Sequence, residues 1–273
     1  MTGVVGRWLA PPRPAGLAEE PAPDTGERRL IGTELCIVFG ITLGLSGLRS
    51  ALSLAQSLLR PGRLSDQHVA LNAPAALNQY IDFALQLSSA AELIGWGALG
   101  GYLLVRAGLR LRDIGLDRTR PGRDALLALG LAALIGVPGL ALYLVAHALG
   151  LALTVQPSTL TDSWWRIPVL VVSAAGNAWA EEVLLIGYLL TRLRRLGWSE
   201  NGSVLLSGLL RGCYHLYQGL GGGVGNLVMG LVFGRVWQRR GRLWALVGAH
   251  TLLDVIAFVG YALLAGHVSW LPH

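Results

Sequence analysis

The sequence predicts an all-α, polytopic membrane protein of about seven transmembrane helices, and three observations carry that reading. Of its 273 residues, 53% are hydrophobic and only 14% charged, with a mean hydropathy of +0.52, outside the usual balance of soluble domains. The apolar residues fall in long blocks, several of which reach the roughly 20 residues that a spanning helix needs. Arginine-rich seams separate the blocks, which puts positive charge where orientation signals belong. The net charge of +6 therefore points to a lipid bilayer as partner, with no nucleic acid.

Residues 1–29 carry five prolines and mixed charge and lack the apolar core of a secretory signal. They are expected to form a disordered cytoplasmic tail. Residues 30–273 then make the helical transmembrane domain, with spans expected near 34–59, 81–105, 125–151, 167–190, 203–220, 224–236 and 243–265. The sixth is short, and "GLGGGVGN" blurs its border with the fifth, so a broken or re-entrant segment is expected there. Such backbone is tolerated only where protein or a water-filled cavity covers it.

Arginines alternate between the connections. Four lie in the tail, six between Arg106 and Arg123, and further groups at Arg192, Arg194, Arg195 and at Arg239, Arg240, Arg242; the intervening connections hold few. This asymmetry predicts a cytoplasmic N-terminus. Every one of the 22 basic residues is arginine, which together with the abundant glycine and alanine is associated with GC-rich genomes. The expected setting is a bacterial cell membrane. Cys36 and Cys213 form no disulfide or zinc pattern and read as packing residues.

Ionisable groups inside spans are expensive and mark sites by default. Glu34 falls at a span end and reads as interfacial. Glu92 has no partner nearby in sequence and reads as a buried acid bonded to a neighbouring helix. His147 reads as a satisfied or interfacial histidine. The later spans differ, because their polar groups recur at helical spacing. "AWAEEVLLIGYLL" sets Glu181 beside Glu182, "RGCYH" places Arg211 and His215 on one helix face, and "HTLLD" does the same for His250 and Asp254. The bland alternative, that these groups only bond helices together, sits poorly with so many of them on consecutive spans.

The residue types suit water-activated hydrolysis within the membrane. A buried carboxylate can act as general base toward water. One histidine can share the water or protonate the leaving amine, and a second can stabilise an oxyanion. The same groups, Glu181, His215 and His250, could instead hold a divalent metal such as zinc. No serine or cysteine nucleophile has a matching context.

"EEVLLIG", "RGCYH" and "HTLLD", in that order, resemble the three motifs of the CPBP family, the CAAX-protease and bacteriocin-processing (Abi) intramembrane endopeptidases. The likeness covers roughly residues 165–264, the expected catalytic core. It implies an all-helical membrane protease acting on a peptide or membrane-protein substrate. Glu181 and Glu182 form its first motif, with Glu181 as the water-activating base assisted by His215, and His250 and Asp254 form its third. Three positions depart from the family pattern: Ile186 stands in place of an arginine, Arg211 in place of a phenylalanine, and Asp254 in place of the more familiar asparagine. A cation lost from the glutamate helix and gained on the next one suggests that Arg211 balances the charge of Glu182. Two other functional classes fit the same residues: a non-proteolytic membrane scaffold or immunity protein, and a proton-coupled transporter. The absence of an internal repeat weighs against the transporter.

Overall fold

The computed structural model describes residues 22–264. About three quarters of them are helical, and the tail before residue 22 lies outside this range. Helix α1 (Thr25–Ile41) opens on Asp24, whose side chain accepts from the Glu27 amide, and α2 (Leu43–Leu59) follows at an angle of 47°. The break falls at the buried Thr42, whose hydroxyl donates to the Val38 carbonyl at 2.6 Å. Such back-bonding to the carbonyl four residues earlier bends helices. The expected first span is thus two helices, and the irregular backbone lies here. Around "GLGGGVGN", by contrast, helix α8 (Leu220–Arg240) forms without interruption.

Helix α3 (Gln79–Arg106) is capped by Asn78 and α4 (Pro121–Ala148) carries proline at its first position, where the missing N–H has no intrahelical partner to lose. Strands β1 (His68–Ala70) and β2 (Thr154–Gln156) pair in parallel between the helix ends. Helix α5 (Arg166–Glu182) continues through a π-helical segment, Val183–Leu189, into α6 (Leu190–Arg195). Next come α7 (Glu200–Tyr214), the extended α8, and α9 (Leu243–Leu264).

Among the described residues four helical runs are long and apolar enough to cross a membrane, or five if the bent α1–α2 pair is one span. Seven were expected. Helix α7 falls short because it stops after 15 residues at Tyr214. Serines, glycines and Glu92 dilute α3. The run Arg166–Arg195 is the axis of the fold, with 67% of its apolar window buried against 17% for α4. Leu184, Leu185, Ile186 and Leu190 pack there against Phe233, Trp237, Leu243 and Leu246. Large apolar side chains such as Leu126, Val137, Ile256 and Leu263 face outward, as the surface of a bilayer-embedded protein requires.

The arginine-rich segments gather at one end. Arg195 bonds Glu27 at 2.8 Å, the Ile114 carbonyl accepts from Trp237, and Arg194 lies 5.5 Å from the Trp237 ring centroid. Glu34 joins them, accepting from Tyr188 and pairing with Arg192 at 3.0 Å. His147 is satisfied by Thr154 at 2.8 Å. Two expectations fail on the outer surface. Glu92 is exposed and not a buried acid, and Cys36 and Cys213 are exposed and not core packing residues. Helices this apolar all round show in sequence no inner face to which a polar residue could be assigned.

Candidate active site

The site forms where the last turn of α5 meets α7 and α9. Helices α7 and α8 approach closely, which sets how deep their side chains lie. A Cβ on Gly230 would come within 2.9 Å of the Gly208 Cα, and one on Gly212 within 2.9 Å of the Gly223 carbonyl oxygen. Spacing of small residues by four lets spanning helices touch backbone to backbone. Arg211, between the two α7 glycines, is fully buried as a result, with its guanidinium carbon 5.8 Å from the Phe233 ring centroid.

Glu181 and Glu182, 3% and 0% exposed, diverge as adjacent residues on a helix must. Glu182 Oε1 accepts from Arg211 Nη2 at 2.5 Å and lies 2.8 Å from His250 Nδ1. Glu181 Oε2 accepts from the Tyr214 hydroxyl at 2.5 Å, with Arg211 Nη1 at 3.5 Å. Its other oxygen, Oε1, faces His215 Nε2 at 3.9 Å, too far for a direct hydrogen bond. Buried atoms without a hydrogen-bond partner among the described residues gather here: His215 Nε2, Arg211 Nε and Nη1, and Glu182 Oε2.

His215 caps α7, and Gln218, on the following 3₁₀ turn, lies 3.3 Å from its Nδ1. Gln218 also donates to the Tyr217 hydroxyl, while the Tyr217 amide is held by Ser50 of α2 at 2.6 Å. On α9, His250 Nε2 lies 3.6 Å from Asp254 Oδ2, which accepts from Asn177 at 2.9 Å. His215 and Asp254 keep 13% and 17% of their side-chain surface exposed, so the less enclosed edge of the site lies on their side.

The structure therefore brings together Glu181, Glu182, Arg211, His215, His250 and Asp254. It adds Tyr214, Asn177 and Gln218, which sequence reasoning passes over. Asn177 stands four residues before Glu181, one helical turn away, and that spacing is a usable signal. Tyr214 carries none, because an aromatic at the end of an apolar helix is ordinary. Among the described residues no three His, Cys, Asp or Glu side chains are grouped so as to hold a metal ion. Glu181 Oε2 is engaged by Tyr214 and Arg211, and His250 turns its Nδ1 to Glu182.

The π-helical segment also changes how Ile186 is read. Hydrogen bonds to the fifth residue widen the turn, so position 186 does not sit beneath Glu182 as it would on an α-helix. Ile186 is fully buried in the apolar core. The distorted backbone is anchored from outside the main ladder, since Ser207 donates to the Leu185 carbonyl and Thr191 to that of Gly187.

The family model of the type II CAAX prenyl endopeptidases, Rce1-like, matches residues 163–256. The match spans all of α5 and reaches past His250 and Asp254, the region whose motifs carry the resemblance read from the sequence. No curated protein and no solved structure matches the chain. With the apolar spans, the match describes an integral membrane protein similar to a protease family, whose substrates are peptides or proteins.

Proposed function

We propose that the chain is an intramembrane endopeptidase in which Glu181 and His215 activate a water molecule to cut peptide bonds in or near the bilayer. The observation that supports this most is the facing pair Glu181 Oε1 and His215 Nε2. They stand 3.9 Å apart, and the histidine nitrogen has no hydrogen-bond partner among the described residues. That gap suits a water held by both groups. Tyr214 and Arg211 fix the other carboxylate oxygen, which leaves Oε1 as the one free to take a proton.

The chemistry follows. As the water oxygen attacks the scissile carbonyl carbon, Glu181 takes its proton. The carbonyl oxygen gains negative charge, and protonated His250, donating Nδ1–H to Glu182, can present Nε2–H to that oxygen. Asp254, held by Asn177, orients the His250 ring. The intermediate collapses as the C–N bond breaks, and the proton on Glu181 passes to the amine nitrogen. Arg211 keeps Glu182 charge-balanced throughout.

Glu181→Gln keeps the side-chain volume but cannot accept the water's proton. Reconstituted protein tested on a library of membrane-anchored fluorogenic peptides should lose about 10²–10⁴-fold in turnover, with its melting temperature little changed. Full activity in Glu181→Gln would sink the assignment.

A further inference from the structure

Helix α2 has a polar flank. Ser46, Arg49, Ser53 and Gln56 recur at spacings of three and four, which sets them along one line of the helix. Arg60 follows at its end, and all five are partly or fully exposed. The line has a definite direction. A Cβ on Gly47 would stand 3.6 Å from that of Cys213 on α7, and the Ser50 hydroxyl accepts from the Tyr217 amide at 2.6 Å. Turning about α2 from Gly47 to Ser50 and on in the same sense leads to Ser53 and then Arg49. The stripe therefore looks past Tyr217, away from α7 and toward α3.

Helix α3 answers it. Ser89, Glu92, Trp96, Leu99 and Leu103 also share one flank by spacings of three and four. Toward the arginine-rich end this flank is apolar, and Leu103 is buried in the core that also takes Val38 of α1. Toward the other end it becomes polar and exposed, at Glu92 and Ser89. The change accompanies the 47° bend at Thr42, beyond which α2 lies against the end of α7. A cleft is left there between α2 and α3.

The floor of the cleft is the candidate site. Gly176 of α5 faces α3, since a Cβ on it would come within 3.3 Å of the Ala90 carbonyl oxygen, whereas Glu181 faces Tyr214 and His215. Asn177 stands between these directions and is partly exposed. Glu92 is level with it, because Trp179 bonds the Ile94 carbonyl, and lies midway along the 28 residues of α3. Arg49 is level with Tyr217, beside Ser50. Neither Arg49 nor Glu92 has a hydrogen-bond or ion-pair partner among the described residues.

We propose that the cleft between α2 and α3 is filled with water and carries the hydrolytic water to Glu181 from the surface opposite the arginine-rich segments. The route rests on the hydrolytic reading of the site. Lipid tails in the cleft would leave two opposite charges unpaired in hydrocarbon near the middle of the bilayer. Ionisable groups at that depth face the bundle interior or a water-filled cavity, and the two polar lines supply the walls of one.

Single cysteines placed in a Cys36→Ala/Cys213→Ala background test the route. A membrane-impermeant methanethiosulfonate is applied to sealed membrane vesicles from the side on which Arg112→Cys stays unlabelled. It reacts with thiolates, which form in water and not in lipid, so Ser53→Cys, Gln56→Cys and Ser89→Cys should label at least about tenfold faster than Ala51→Cys and Ala55→Cys on the opposite face of α2. Ser53→Trp, which plugs the cleft, should slow the labelling of Arg49→Cys and the turnover of peptide by a similar factor, whereas Ala55→Trp should change neither. Equal rates on the two faces of α2, or labelling of Arg49→Cys and turnover untouched by Ser53→Trp, would overturn the proposal. Labelling needs no substrate, so a stripe that fails to label beside an inactive Glu181→Gln variant would sink the route and leave the protease assignment standing.

Discussion

Two arginines in this protein each face two carboxylates, and they differ in almost everything else. Arg242 sits at the arginine-rich end between Asp117 and Asp124, with 12% of its side chain exposed and three short hydrogen bonds. Arg211 lies among Glu181, Glu182 and Phe233 with no exposure, one short bond to Glu182, and Nε and Nη1 without hydrogen-bond partners among the described residues. The first arrangement is complete, and it clasps the α3–α4 connection to the start of α9. The second is unfinished. Buried polar groups are nearly always paired, and a cluster kept short of partners retains groups able to engage a reacting molecule. Of these two arginines, the saturated one holds the fold together and the unsaturated one lies in the candidate site.

The contrast is broken most sharply by removing each cation. Arg211→Met leaves Glu182 buried with only His250 beside it, and loss of one partner from a buried pair costs about 3–5 kcal/mol. Adding Glu182→Gln should return much of that, giving an interaction free energy toward the upper part of the roughly 0.5–3 kcal/mol usual for contacting groups. Chemical denaturation in detergent measures the cycle, and simple additivity would mean that the contact does not stabilise the pair. Adding Ile186→Arg to Arg211→Met should not rescue it, since the π-helical turn carries position 186 into the apolar core.

Tyr214→Phe sharpens the comparison inside the site. The hydroxyl donates to Glu181 at 2.5 Å, and a hydrogen bond to a charged group contributes about 1.5–3 kcal/mol. Turnover should fall by about tenfold or more with KM little changed, because the phenol positions the base without touching substrate. A rise in KM at constant turnover would show that it acts on substrate binding instead.

The smallest effects belong to the outer clasp. Arg242→Gln should cost no more than about 1 kcal/mol, and less at high salt, as partly exposed pairs do. The Arg242 guanidinium bonded to Asp117 holds that carboxyl well below the usual carboxylate range. A depressed folded-state value means that its stabilisation is complete above the ordinary value of about 3.9 and is lost as pH falls below it. Melting temperatures followed downward from about pH 5 should therefore drop less steeply in Asp117→Asn than in the original protein. Equal slopes would show that Asp117 adds nothing to acid sensitivity.

The same two regions show how much of the molecule is legible in its sequence. Glu182 and Arg211 can be matched from the chain alone, because a buried charge demands a partner and only one unassigned cation lies on a neighbouring span. The Glu181–Tyr214 contact obeys no such demand, since a tyrosine is at home on any apolar helix. The expected seven spans reduce to four or five long apolar runs among the described residues for a related reason. Hydropathy follows composition along the chain, whereas the ends of α7 and the break at Thr42 are set by local hydrogen bonds and by a 3₁₀ turn at Leu216–Gln218. Glu92 reads as interior because lone acids in apolar runs are costly in lipid, yet the packing of α3 turns it outward.

The π-helical segment Val183–Leu189 has a mechanical consequence. A π-turn is one residue of surplus length stored in a helix, so deleting any single residue from it would let the backbone relax to α-helical winding. Everything beyond would then keep nearly its present orientation, whereas a deletion in the α-helical stretch on either side would swing the downstream part by roughly 100° about the axis. Thr191, Arg192 and Arg194 would keep their present neighbours while Glu181 and Glu182 stayed where they are. The segment thus works as a spare link between two halves of one rod, and it sits immediately after the paired glutamates. The loss of one residue there is taken up within the wide turn, so that neither the arginine-rich end nor the carboxylates lose their aim.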